Sequence, residues 1–196
     1  MSTNSTSSTN KTRAVFLDRD GTINEEVGYL NDLSRLKLLP RVWEGLKLLK
    51  QKGFKLIVIT NQSGVARGYF PKELVYQTNK LIQKRLSKKG VILDDFFICF
   101  HLPDEGCDCR KPKPGMIFEA ARKHNVDLRS SYMVGDKLID IETGKNAGLK
   151  TVLVLTGYGK GELKYMIPKK KIYPDFIAEN LIEAAKIIIK DSGLET

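Results

Sequence analysis

Residues 42–60 read VWEGLKLLKQKGFKLIVIT, and this stretch decides the fold class. Its first part, Val42 to Lys52, repeats apolar residues at helical spacing and stops at Gly53. Its second part, Phe54 to Thr60, is a largely apolar run of the kind that forms a strand buried on both faces. Because another apolar run, Ala14 to Leu17, precedes them, the three segments predict a strand–helix–strand unit with parallel strands.

The rest of the chain continues this alternation of apolar runs and helix-period segments. It predicts a helix from Pro71 to about Lys88, a strand at Phe96–Phe100, a helix from Pro114 to His124, a strand at Tyr132–Val134, a helix at Ile139–Asn146, a strand at Thr151–Leu155 and a last helix from Asn180 to about Lys190. Alternating strands and helices indicate an α/β fold, a doubly wound parallel sheet in a three-layer sandwich. In such sheets, ligands bind beyond the carboxyl ends of the strands.

The composition is that of one ordinary globular domain. The chain has 196 residues, of which 41% are hydrophobic and 29% charged, and this is enough for a single core. Residues 1–12 contain the run STNSTSSTN, which has too little apolar surface to become ordered, so we expect a disordered tail and one domain over residues 13–196. Since no apolar run could span a membrane and no secretory signal is evident, we expect a cytoplasmic protein, and we favour a monomer.

The formal net charge is +10, from 33 basic and 23 acidic residues. A charge of this size would favour polyanions or phosphorylated substrates if it were focused at one place. The lysines are instead spread over most segments, and the one run, Lys169–Lys171, has no interleaved aromatic residues on which bases could stack. We therefore expect a solvated, lysine-rich surface and no nucleic-acid partner.

Residues that can carry chemistry stand directly after the predicted strands. Asp18 and Asp20 follow the first strand and project from the same side of an extended segment. Two close carboxylates need a cation between them or a proton on one, which suits either a nucleophile with a general acid or a magnesium site. Thr60 and Asn61 end the second strand with groups suited to phosphate oxygens. The other members of the series are Arg110 and Lys111 after a third segment, and Asp136, Lys137 and Asp140 after the fourth strand.

All three cysteines and one of the two histidines form the pattern Cys99-x-His101-x5-Cys107-x-Cys109. Four such ligands suit tetrahedral zinc with no open position, which is a structural site. A disulfide is the alternative, but cysteines two residues apart are poorly placed to bridge one another. We therefore expect a zinc loop at residues 99–109, which would hold the cations that follow it.

Four segments together resemble the motifs of the haloacid-dehalogenase-like phosphohydrolase superfamily: FLDRDGT (16–22), VITNQSG (58–64), RKPKPG (110–115) and MVGDKLID (133–140). Within that superfamily, FLDRDGTIN followed by GYL, TNQSGVARG and CDCRKPKPGM is similar to the heptose-bisphosphate phosphatases and their histidinol-phosphatase relatives. The resemblance extends over residues 13 to 160.

The resemblance implies a magnesium-dependent phosphatase that works through an aspartyl-phosphate. Asp18 would attack phosphorus, and Asp20 would protonate the departing alkoxide and then deprotonate the attacking water. Thr60 and Lys111 would hold the transferring phosphoryl group. Magnesium would be bound by Asp18, the Asp20 backbone carbonyl and Asp136.

The resemblance also implies a sugar bisphosphate as substrate, such as D-glycero-D-manno-heptose 1,7-bisphosphate, hydrolysed to the 1-phosphate. Arg67 and Arg110 flank the reaction centre and could hold the phosphate that remains, because guanidinium groups suit bidentate phosphate recognition. Asn61 and Lys137 complete the expected substrate-binding residues. Lys137 and Asp140 would also orient the groups around the metal.

Two other activities stay open. The short gap between His101 and Cys107 favours a histidinol-phosphate phosphatase, although no acidic pocket for the amine is evident. A polynucleotide 3′-phosphatase shares the core motifs, but no second module or aromatic platform is apparent. No separate cap domain fits between the motifs, so we expect the loops at Glu25–Asn31, Ser63–Gly68 and 99–109 to select the substrate.

Overall fold

A six-stranded parallel sheet forms the centre of the computed structural model, which describes residues 11–195. The strands are β1 Ala14–Leu17, β2 Lys55–Asn61, β3 Asp95–Cys99, β4 Tyr132–Gly135, β5 Lys150–Val154 and β6 Phe176–Ala178. Their order across the sheet is β3-β2-β1-β4-β5-β6. Phe16 in β1 is level with Ile57 in β2 and Met133 in β4. The strand order reverses between β1 and β4, so the carboxyl ends of these strands form the switch point at which doubly wound sheets bind ligands.

Helices connect successive strands. They are α1 Val42–Gln51, α2 Lys72–Ser87, α3 Gly115–His124, α4 Leu138–Asn146, α5 Gly159–Gly161, α6 Ile167–Lys170 and α7 Leu181–Asp191, with a π-helical turn at Glu162–Met166 and 3-10 turns at Leu33–Arg35 and Leu128–Ser130. Asn180 caps α7, because its side chain accepts from the backbone N–H groups of Ile182 and Glu183. Within residues 11–195, no helix has both the length and the hydropathy of a membrane span.

The sheet is covered on both faces because its strands project apolar side chains in two directions. In β1, Val15 and Leu17 belong to the core that includes α1 and α7, whereas Ala14 and Phe16 belong to the core that includes α3. All four side chains are fully buried. The predicted three-layer, doubly wound α/β sandwich is therefore confirmed.

The bounds of β1 to β5 lie within one residue of those predicted from the apolar runs. The sequence did not predict β6 or the helical segment at residues 159–170. Residues 1–10 of the expected tail lie outside the described residues. Thr12, which was counted with that tail, pairs with the folded part of the chain, since its backbone N–H donates to the Asn125 carbonyl oxygen at 2.9 Å.

Candidate active site

A pocket of about 370 Å³ opens at the carboxyl ends of the central strands. Its walls consist of Asp18, Asp20, Glu26, Gly28, Tyr29, Thr60, Asn61, Gln62, Ser63, Gly64, Arg110, Lys111, Lys137, Ile139 and Tyr158. The expected catalytic residues and most of the expected substrate-binding residues therefore line one cavity. It lies at the switch point of the sheet, where a doubly wound fold places its ligands.

At the base of the pocket, the ammonium group of Lys111 lies between two carboxylates. Its Nζ is 2.8 Å from Asp18 Oδ1 and 2.6 Å from Asp140 Oδ1. Burial alone would lower the pKa of Lys111, but the charges of Asp140 and Asp18 outweigh it and raise the pKa. Lys111 is therefore a permanent cation beside Asp18, where it can neutralise a phosphoryl group.

The backbone of Lys111 is held by the side chain of Asn61. Lys111 N donates to Asn61 Oδ1 at 3.2 Å, and Asn61 Nδ2 donates to the Lys111 carbonyl oxygen at 3.3 Å. One residue further on, the Gln62 backbone N–H donates to the Cys99 carbonyl oxygen at 2.7 Å. These bonds fix the loop after β3 against the end of β2, where the buried Thr60 hydroxyl accepts from Gln62 Nε2 at 2.9 Å.

The carboxylate of Asp20 is surrounded by hydrogen-bond donors. Arg19 Nη2 donates to its Oδ2 at 2.9 Å, Asn24 Nδ2 to its Oδ1 at 2.8 Å, and Gln62 Nε2 to its Oδ2 at 2.8 Å. Arg19 is itself buried and donates to Asn79 Oδ1 at 3.2 Å. Burial would raise the pKa of Asp20, but the charge of Arg19 and the three donors together lower it. Asp20 is therefore ionised at neutral pH in this arrangement.

The carboxylate of Asp136 follows β4 and is completely buried. Its Oδ2 accepts from the Tyr158 backbone N–H at 2.8 Å, whereas its Oδ1 has no hydrogen-bond partner among the described residues. Burial, followed by the charges of Asp18 and Asp140, raises the pKa of Asp136 to about 8. One oxygen each of Asp18, Asp136 and Asp140 lies within 4.8 Å of the others. A cation would stabilise such a cluster of like charges.

Two glycines let the chain approach Asp136 closely. Gly21 has a φ of 83° and Gly157 a φ of 51°, both in the left-handed region. A Cβ added to either residue would lie 2.2 Å from Asp136 Oδ2. Thr156 Oγ1 donates to the Gly21 carbonyl oxygen at 2.6 Å and joins the loops that follow β1 and β5. Side chains at these two positions would therefore collide with the Asp136 carboxylate.

One wall of the pocket combines three residues from different loops. Lys137 Nζ lies 2.5 Å from Glu26 Oε2 and 4.6 Å from the centroid of the Tyr158 ring. Burial would lower the pKa of Lys137, but Glu26 and the aspartates of the site raise it. Lys137 is therefore charged, and its charge is already balanced by Glu26.

The four residues of the cysteine–histidine pattern converge. Cys109 Sγ lies 3.1 Å from Cys99 Sγ, 3.5 Å from Cys107 Sγ and 3.3 Å from His101 Nδ1, and the three cysteines are free thiols. A tetrahedral zinc ion with bonds of about 2.0–2.3 Å separates its ligand atoms by about 3.3–3.8 Å. The distances from Cys109 to Cys107 and to His101 fall in this range and the distance to Cys99 is 0.2 Å shorter, so the donor atoms and their spacing suit zinc. The loop also contacts the pocket, because Arg110 donates to the His101 carbonyl oxygen at 2.9 Å.

Arg67, which the sequence predicts as a substrate-binding residue, does not line the pocket. The side chain is exposed, and the pocket is lined by Ser63 and Gly64 of the same loop without it. The Arg67 backbone N–H donates to the Ser63 carbonyl oxygen at 3.1 Å, and that of Gly68 to Val65 at 3.0 Å. These bonds turn the chain, and the turn directs Arg67 toward solvent instead of the reaction centre.

Sequence reasoning did not single out four residues of the site: Arg19, Gln62, Glu26 and Tyr158. Glu26 lies in the loop at Glu25–Asn31 that was expected to contact substrate. Tyr158 lies four residues beyond the end of β5, so applying the strand-end rule to the fifth strand would have pointed to its loop. Arg19 and Gln62 stand inside the quoted motifs, but no pattern in the sequence pairs them with Asp20.

Several known proteins that resemble the chain are named phosphatases. The HAD-hydrolase-like family model matches residues 108–184. The D-glycero-beta-D-manno-heptose-1,7-bisphosphate 7-phosphatase of Pasteurella multocida is 38% identical over 183 residues, which cover 90% of this chain and 96% of that protein. The D-glycero-alpha-D-manno-heptose-1,7-bisphosphate 7-phosphatase of Photorhabdus laumondii is 41% identical over 161 residues, 78% of this chain and 88% of the relative.

A solved structure extends this likeness to the fold. The crystal structure of D,D-heptose 1,7-bisphosphate phosphatase from B. bronchiseptica, complexed with magnesium and phosphate, aligns with a TM-score of 0.83 at 32% identity. The alignment covers 91% of this chain and 99% of that one. The chain therefore belongs to the heptose-1,7-bisphosphate 7-phosphatase family of haloacid-dehalogenase-like hydrolases, and it is a phosphatase.

Proposed function

We propose that the protein hydrolyses the 7-phosphate of a D-glycero-D-manno-heptose 1,7-bisphosphate and releases the 1-phosphate. The observation that carries this proposal is the presence of two separate cationic positions in one pocket, Lys111 against Asp18 at the base and Arg110 on the wall. A bisphosphate offers two anionic groups, and these positions suit both. Because the relatives include enzymes named for the alpha and for the beta anomer, the proposal covers both anomers.

The reaction would proceed by two displacements at phosphorus. In the first, a carboxylate oxygen of Asp18 bonds to the 7-phosphorus, the bond from phosphorus to the C7 oxygen breaks, and Asp20 gives that oxygen a proton. In the second, a water oxygen attacks the aspartyl-phosphate, Asp20 accepts the proton of the water, and inorganic phosphate leaves Asp18. Lys111 and the Thr60 hydroxyl stabilise the phosphoryl charge in both steps.

The contacts of Asp20 suit its role in the second step. Arg19 and the neighbouring amides lower its pKa, so it carries no proton at neutral pH and can act as a base. The first step needs the protonated form. A phosphate dianion entering the pocket would raise the pKa of Asp20 by repulsion between like charges, so substrate binding itself would favour that form.

We also propose a magnesium site formed by the carboxylates of Asp18 and Asp136 and the backbone carbonyl of Asp20. The oxygen donors and the unpartnered Asp136 Oδ1 fit a hard divalent cation. Asp140 is a poorer ligand, because its Oδ1 already accepts from Lys111 Nζ at 2.6 Å. When bound, the cation would neutralise charge on the phosphoryl oxygens. The B. bronchiseptica structure, complexed with magnesium and phosphate, supports this choice of metal.

A structural zinc ion on Cys99, His101, Cys107 and Cys109 is the second metal that we propose. The four donor atoms lie within 4.8 Å of one another and leave no position for substrate. Zinc would hold the loop that carries Arg110 against the pocket. A cytoplasmic location and a monomeric state stay predictions.

Histidinol phosphate is a second candidate substrate, because an acidic pocket adjoins the main one. This pocket, of about 420 Å³, is lined in part by Glu25 and Glu26. Glu26 is already paired with Lys137, so the Glu25 carboxylate is the group that could bind a substrate amine. Arg110 would have no anionic partner in such a substrate, and we therefore favour the bisphosphate.

The experiment that tests the proposal is phosphate release from a panel of substrates with magnesium present. The panel contains both anomers of heptose 1,7-bisphosphate, heptose 7-phosphate and histidinol phosphate. We expect the highest kcat/KM for one of the bisphosphates. A higher kcat/KM for histidinol phosphate would refute the substrate while leaving the phosphatase mechanism in place.

A further inference from the structure

We propose that Tyr158 is a specificity-determining residue that selects the sugar by stacking its ring against the apolar face of the pyranose; this inference rests on the proposed function. Tyr158 follows β5, lines the main pocket together with Asp18 and Lys111, and also lines the adjoining acidic pocket. Half of its surface, 50%, is exposed. An exposed aromatic ring on the wall of a polar pocket offers a surface that phosphate-binding groups cannot provide.

The position of the Tyr158 ring is set before any substrate arrives. Its backbone N–H donates to Asp136 Oδ2 at 2.8 Å, and the preceding Gly157 packs against the same carboxylate. The ammonium group of Lys137 lies 4.6 Å from the ring centroid and is itself fixed by Glu26. A ring held at its backbone and on its side chain loses little conformational entropy when a ligand covers it.

The other groups of the wall are already engaged. Glu26 and Lys137 neutralise each other, and Arg110 carries the charge that suits a second phosphate. A sugar ring presents C–H groups that carry partial positive charge, and the face of an aromatic ring is negative. Because Lys137 lies over one face of the Tyr158 ring, the opposite face is the one that would pack against the sugar.

The second tyrosine of the pocket, Tyr29, serves a different purpose. Its ring centroid lies 4.8 Å from that of Tyr69 and 6.5 Å from that of Phe70, so it belongs to an aromatic cluster. A Cβ on Gly64 would lie 2.9 Å from the Tyr29 ring, which shows that this ring packs against the loop after β2. Tyr29 thus joins two loops, whereas Tyr158 has no ring contact with another aromatic residue in the described part of the chain.

The test compares Tyr158→Ala, Tyr158→Phe and the control Tyr165→Ala with the parent enzyme. Tyr165 is 62% exposed and lies outside the pocket. Each protein is assayed on heptose 1,7-bisphosphate and on glycerol 3-phosphate, which has no ring. For Tyr158→Ala, we expect KM for the bisphosphate to rise about 10-fold while kcat stays within about threefold. Tyr158→Phe keeps the ring and should stay within about twofold, as should the control.

A second measurement separates binding from turnover. Calorimetry of heptose 1,7-bisphosphate with Asp18→Asn should show about 10-fold tighter binding than with Asp18→Asn/Tyr158→Ala. Equal binding by the two proteins would overturn the proposal. So would equal losses of kcat/KM on both phosphates, because Tyr158 would then act only through Asp136. If the parent does not hydrolyse the bisphosphate at all, the proposed function fails first, and the inference fails with it.

Discussion

Replacing Arg110 by alanine should weaken the enzyme on a bisphosphate and spare its action on a monophosphate. Arg110 lines the pocket and is only partly buried, and its guanidinium group donates to the His101 carbonyl oxygen at 2.9 Å. In our proposal its remaining N–H groups bind the phosphate that stays on the sugar. Lys111, which in our proposal serves the reacting phosphate, is held separately by two hydrogen bonds to the Asn61 side chain at 3.2 and 3.3 Å. The substitution should therefore leave Lys111 in place.

The expected size of the effect follows from one lost contact between charged groups. A charge-assisted hydrogen bond is worth about 1.5–3 kcal/mol, which corresponds to a fall of about 10- to 150-fold in kcat/KM. Because Arg110 is partly solvated, we expect the lower half of this range. The contact exists in the ground state and the transition state alike, so most of the loss should appear in KM.

The assay measures steady-state phosphate release from heptose 1,7-bisphosphate and from heptose 7-phosphate. Lys113→Ala is the matched control: Lys113 is a cation of the same loop, is exposed, and bonds to the Gly106 carbonyl oxygen at 2.9 Å without lining the pocket. We expect this control to behave as the parent on both substrates. Equal losses for Arg110→Ala on the two substrates would refute the reasoning, because Arg110 would then serve the reacting phosphate or the loop itself.

Three further predictions concern the nucleophile and the two metal sites. Asp18→Asn should abolish phosphate release and leave the circular dichroism spectrum unchanged, since the amide matches the carboxylate in shape but is a poor nucleophile; turnover near the parent rate would exclude the covalent route. Elemental analysis of protein purified without added metal should find about one zinc per chain, and a zinc content near zero with freely reactive thiols would contradict the zinc loop. Gly157→Ala should lower both the Tm and the affinity for magnesium, the latter measured by calorimetry. The added Cβ would lie 2.2 Å from Asp136 Oδ2, and the residue has a φ of 51°. In contrast, Gly161→Ala should change neither the Tm nor the magnesium affinity, because a Cβ there has open space. Equal effects of the two substitutions would show that contact with Asp136 is not the cause.

Most of the sheet was predictable because its strands are buried on both faces. Such strands read as largely apolar runs, and β2 and β4 show this pattern in the sequence itself. The edge strand β6 has only three residues, its middle residue Ile177 is 45% exposed, and it follows Pro174, so no run of sufficient length marks it. The helical segment at residues 159–170 contains two glycines and a proline, which predict a loop. Contacts with the rest of the fold overrule these local preferences.

The positions of the site residues along the chain were predictable, whereas the directions of long side chains were not. The carboxyl ends of parallel strands meet at one edge, so motifs that follow strands share a site. Arg67 and Arg110 both stand near such motifs, yet only Arg110 lines the pocket. The two residues differ in the hydrogen bonds of the backbone around them. The Arg67 backbone N–H bonds within its own loop, to Ser63. The backbone next to Arg110 bonds instead to Asn61 at the end of β2.

The contacts of Arg19 show why the protonation state of Asp20 could not be predicted from the sequence. In an extended segment, Asp18 and Asp20 share one side and Arg19 takes the other, which places Arg19 toward the interior. Its guanidinium group is several bonds from the backbone, however, and it turns back to the Asp20 carboxylate while it also reaches Asn79 on α2. The pKa of Asp20 is lowered by this contact and by Gln62, which follows β2. The readiness of Asp20 to act as a base is thus set by residues from three separate elements, and only the folded chain brings them together.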